Sequence, residues 1–111
     1  MDEAEERRKA ENEAIFRDAN ERIRDARVEL LSTTGPTPFL CECSAPECRT
    51  IVMLELADYE FARSNARHFI VADGHPDGGG DPVRDGDGYT IVAKDGVAGE
   101  VAEATDPRAE A

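Results

Sequence analysis

The chain has 111 residues, enough for one domain with a modest core, and carries 25 Asp and Glu against 13 Lys and Arg, a net charge of −12. That balance excludes phosphate backbones and anionic lipid surfaces, which are bound through clustered Lys and Arg, so neither nucleic acid nor a membrane is expected as a direct partner. No apolar run approaches the ~20 residues of a membrane span, and the opening Met1-Asp2-Glu3-Ala4-Glu5-Glu6 is unlike a signal peptide, so a cytoplasmic protein is expected.

Residues 1–31 are rich in Glu, Arg and Ala and almost free of turn formers, which predicts a helix. Its first fourteen residues read as a charged, flexible leader. From there Phe16, Ala19, Ile23, Ala26 and Leu30 recur at spacings of three and four, with Ile15 and Leu31 beside them. This spacing predicts a narrow apolar stripe that packs on the domain or pairs with a second copy. Gly35-Pro36 ends the helix. Pro38 to Cys41 and Thr50 to Leu56 read as two strands of an antiparallel hairpin, the second well buried. A short helix over 57–63 and a strand over 68–71 follow. Residues 73–88 contain six of the nine glycines and five aspartates, which predicts a mobile acidic loop. Gly88 to Lys94 reads as the last strand and Val97 to Thr105 as a short helix, with 106–111 a loose tail. The domain proper is thus expected over 15–105.

All three cysteines lie in one short stretch, Cys41-Glu42-Cys43-Ser44-Ala45-Pro46-Glu47-Cys48. An odd number of cysteines suits a disulfide framework poorly. Thiolates crowded into one turn repel each other unless a cation holds them, and zinc takes about four such ligands in a tetrahedron. The fourth ligand must come from elsewhere. His75 is the better candidate, because it sits where the strand over 68–71 would leave the sheet, flanked by Gly74 and Pro76. His68 is nearer in sequence but reads as a partly exposed sheet residue. Unligated thiols and a redox site are the competing accounts of the cysteines.

With these elements in place, the chain resembles a group of short actinobacterial proteins that come with no established activity. The resemblance rests on Asn12 to Arg17 and Asn20 to Ile23, on Phe39-Leu40-Cys41-Glu42-Cys43 with Cys48, and on Leu56 to Glu60. It continues through Arg63, Phe69-Ile70-Val71, Gly74-His75, Tyr89 to Lys94 and Val101 to Arg108. The resemblance implies a Cys-Cys-Cys-His arrangement. Asp73 and Glu55 depart from the group's Pro and Thr, and Gly78-Gly79-Gly80 is peculiar to this chain.

Other motifs do not close. A calcium loop starting at Asp85 would need its Glu at position 96, which is Gly96, and Gly78 to Gly80 lack the Lys-Ser/Thr of a phosphate loop. The expectation is therefore an α+β domain, a long N-terminal helix on a small antiparallel sheet with a metal-bound hairpin. Cys41, Cys43, Cys48 and His75 would hold structural zinc in a small interaction or regulatory module, with a protein partner or a second copy on the N-terminal helix. A small zinc- or thiol-dependent enzyme is the main alternative, with Glu42 and Glu47 as acid–base candidates although exposed hairpin carboxylates is the simpler reading of both. An acidic inhibitor seated in a basic groove is the other, and its charge would lie in residues 73–111, which hold ten acids against three bases.

Overall fold

The computed structural model describes residues 2–29, 35–75 and 80–108. The element order is α1 (Glu3–Glu29), β1 (Thr37–Leu40), β2 (Ile51–Leu54), α2 (Leu56–Arg63), β3 (His68–Ala72), β4 (Asp81–Asp85), β5 (Tyr89–Ala93) and α3 (Gly96–Ala104). The fold is α+β, with two small antiparallel sheets where one was expected: β1 with β2, and β3-β5-β4 with β5 in the middle.

Helix α1 starts twelve residues earlier than a leader over 1–14 would allow. The Asp2 carboxylate accepts the Glu5 N–H at 2.8 Å, and Glu3, Glu5 and Glu6 place negative charge in the first turn, both favourable at a helix N-terminus. Its buried face is Ala10, Glu13, Ala14, Phe16, Arg17 and Asn20. The expected stripe is corrected accordingly. Phe16 is buried, but Ala26 is exposed and Ile15 is 62% exposed, while Leu30 and Leu31 lie outside the described residues. The helix turns three polar side chains inward, Glu13, Arg17 and Asn20, and each makes hydrogen bonds there, although Arg17 Nε has no partner among the described residues. Lys94 Nζ donates to Glu13 Oε2 at 3.0 Å. Arg17 donates to the carbonyls of Ala66 and Ala102 at 2.7 and 2.9 Å, and its guanidinium lies over the Phe69 ring. Periodicity of apolar residues alone cannot see such a face.

The core lies between the two sheets and the helices. Phe39 stacks on Tyr59 with ring centroids 4.2 Å apart, and Leu54, Phe69, Ile70 and Ile91 fill the space around them. Strand β2 alternates, with Val52 and Leu54 buried but Ile51 and Met53 half exposed, so it is not the buried strand expected. The predicted loop over 73–88 also needs correction, since Asp81–Asp85 forms β4 on the free edge of β5. Its side chains are exposed throughout, Pro82 sits on an edge strand where a missing N–H is tolerated, and the register slips between Pro82 and Arg84. Pairing with β5 overrides a composition that reads as loop. Among the described residues no helix is long and apolar enough to cross a membrane.

Candidate metal centre

The site is assembled where β1 and β3 end side by side. Cys41 N–H donates to Thr50 O at 2.9 Å, extending the β1–β2 ladder by one pair. Glu42 N–H then donates to Ile70 O at 2.7 Å, which hands the chain from the first sheet to β3. The turn that follows is closed by Cys48 N–H to Ala45 O at 3.1 Å and brings Cys48 back under Cys41 and Cys43. On the other side, β3 ends at Ala72, whose N–H donates to Cys41 Sγ at 3.2 Å. Gly74, at φ +81°, turns the backbone where a side chain would be strained, and His75 N–H closes the turn onto Ala72 O.

These two turns bring the Sγ atoms of Cys41, Cys43 and Cys48 and a ring nitrogen of His75 within 4.8 Å of one another, a set that could hold a metal ion. His75 Nδ1 lies 3.5 Å from Cys41 Sγ and 3.6 Å from Cys48 Sγ. A tetrahedral ion with metal–sulfur bonds of about 2.3 Å and metal–nitrogen bonds of about 2.0 Å requires S···N edges of roughly 3.5 Å. Both sulfur–nitrogen separations agree with that requirement. The four sequence-predicted ligands are thus brought together. His68 is not among them, for it opens β3 at the end remote from the site and is buried rather than partly exposed.

The thiols are unequal. Burial pushes Cys41 up to about 12, against the Ala72 N–H that favours its thiolate, and burial raises Cys43 as well. Cys48, half-buried, is opposed by burial too but is drawn down to about 7 by hydrogen bonds from Thr50 and by its neighbours Cys43 and His75. Two buried thiols with raised pKa values are poor free nucleophiles, and a bound cation is what would release their protons.

Sequence reasoning missed the residue that holds the site together. Glu42 reads as an exposed hairpin carboxylate, yet it is fully buried. Arg63 of α2 donates to both of its oxygens, at 2.9 and 2.8 Å. Asn20 of α1 donates to Oε2 at 2.6 Å, and Ile70 N–H of β3 donates to Oε1 at 2.9 Å. Every oxygen is therefore doubly engaged, which leaves Glu42 no role as a general acid or base. No local pattern signals this burial, because residues 41–43 lie beyond the end of β1 and the partners of Glu42 are distant in the chain. Glu47 is exposed, as expected. No protein-family model matches the sequence, and no curated protein or solved structure is significantly similar to it.

Proposed function

We propose that this chain is a small zinc-binding protein whose metal is structural and whose role is to present a surface to another protein, as an interaction or regulatory module in the cytoplasm. The observation that carries the metal reading is the convergence of three sulfurs and one imidazole nitrogen from two separate turns. Thiolate-rich sites of four protein ligands are characteristic of structural zinc, whereas catalytic zinc keeps a position for water. Of the two carboxylates that flank the cysteines, Glu42 is consumed by Arg63 and only exposed Glu47 is left to the alternative of a zinc- or thiol-dependent enzyme. A metal here would fasten the β1–β2 turn to the end of β3, a tie that small cores often need. Metal analysis of purified protein, with melting followed before and after a strong chelator, tests the reading. One zinc per chain and a melting temperature that falls on chelation are expected. A metal-free protein that melts cooperatively and has titratable thiols would sink it.

A further inference from the structure

Strand β2 has an unused edge. Cys41 N–H donates to Thr50 O, and the register pairs Leu40 with Ile51, Phe39 with Val52 and Pro38 with Met53. In an antiparallel ladder, hydrogen-bonded and non-hydrogen-bonded pairs alternate, so Leu40–Ile51 and Pro38–Met53 are the non-bonded ones. Pro38, which has no N–H, fits there, and the outward N–H and C=O of Leu40 are both taken by the Asn20 side chain, at 2.7 and 2.8 Å. The corresponding groups of Ile51 and Met53 point outward on the opposite side, and among the described residues no strand pairs there.

That edge lines a groove of about 590 Å³, bounded across from it by the turn joining β4 to β5. The exposed side chains of Ile51 and Met53 give it apolar ground, 52% and 48% exposed. Among the described residues its rim carries Glu55, Asp58, Asp85 and Asp87 against one cation, Arg84. Arg84 is already committed, 3.7 Å from an Asp58 oxygen and stacked over Phe61. An open strand edge binds extended backbone, alternate apolar side chains select neighbours of like kind, and an acidic rim selects cations. We propose that the free edge of β2 takes an extended, basic segment of a partner protein as a third strand, with alternate apolar residues over Ile51 and Met53 and Lys or Arg facing the acidic rim. This rests on the reading of the chain as an interaction module, and not on the metal.

The test uses the full chain, its zinc content measured in the same sample, and a short capped peptide alternating lysine and valine. Saturable binding that weakens with salt is expected, with amide shifts concentrated in 51–55 and 84–89. Met53→Lys should weaken binding on the order of tenfold by placing a like charge on the edge. Glu55→Gln with Asp87→Asn should weaken it several-fold while leaving the melting temperature unchanged. A peptide N-methylated on alternate residues should lose binding because it lacks the ladder donors. Equal binding of a glutamate–valine peptide, indifference to N-methylation, or no binding by folded protein overturns the proposal. Self-association that Met53→Lys abolishes would overturn it too, assigning the edge to a second copy. Loss of peptide binding with zinc retained removes only this proposal, and peptide binding by a zinc-free folded chain removes only the metal reading.

Discussion

Glu42 and Arg63 meet as a two-pronged ion pair with side chains 0% and 2% exposed, and Glu42 sits between the two buried cysteines in sequence. A buried carboxylate is tolerable only when its charge and its lone pairs are matched, and here Asn20 and Ile70 complete what Arg63 begins. Removing one partner strands the other. Glu42→Gln is expected to cost about 3–5 kcal/mol in urea unfolding, because Arg63 is left as an uncompensated buried cation. Glu42→Gln combined with Arg63→Met should recover part of that loss. A single variant as stable as the parent would show that the pair is not formed.

On the zinc reading, Cys43→Ser and His75→Ala are expected to lower both zinc stoichiometry and melting temperature, since each would remove one of the four candidate ligands. His68→Gln should leave the stoichiometry unchanged, because His68 lies at the far end of β3. Elemental analysis with thermal melts separates the cases. Zinc lost on changing His68 but kept on changing His75 would reverse the ligand assignment.

Helix α1 is bolted to the body of the protein through its first half. Glu13 and Lys94 form an ion pair with side chains 2% and 1% exposed. Glu13→Gln is expected to destabilise by about 3 kcal/mol, as Lys94 would keep a buried charge without its counter-charge. Deletion of residues 1–14 should lower the urea midpoint further, by also removing buried Ala10 and Ala14. A dispensable leader would give no change.

Acid should loosen the contact between α1, α2 and the C-terminal segment. Burial opposes ionisation of Glu21, but hydrogen bonds from Arg108 and Tyr59 prevail and hold it below its ordinary 4.5. Glu60 is lowered by Arg108, with burial opposing and Arg24 assisting. A carboxylate depressed in the folded state contributes stability above its unfolded pKa and loses it as pH falls through the folded one. Melting temperatures of the parent and of Arg108→Gln should therefore differ at neutral pH and converge below pH 4.5 as Glu21 and Glu60 protonate. A gap that is independent of pH would show that Arg108 acts only through packing.

The sequence alone determined most of the local matters: the helices and strands other than β4 and the first turns of α1, the α+β class, and the four residues that can serve as ligands. Composition, β-branching, Gly and Pro placement and the clustering of soft ligands are properties of neighbouring residues, so they are legible without a fold. Three things depended on tertiary structure. The inward face of α1 is polar, and Glu13, Arg17 and Asn20 become core residues only because Lys94, the Ala66 and Ala102 carbonyls, and Leu40 stand opposite them. Asp81–Asp85 becomes a strand because β5 offers a free edge, which a Gly- and Asp-rich composition cannot announce. Glu42 becomes the anchor of the candidate metal site because α1, α2 and β3 converge on one carboxylate from residues 22, 21 and 28 positions away. Burial of a charge is decided by its partners, and partners distant in the chain are chosen by the fold.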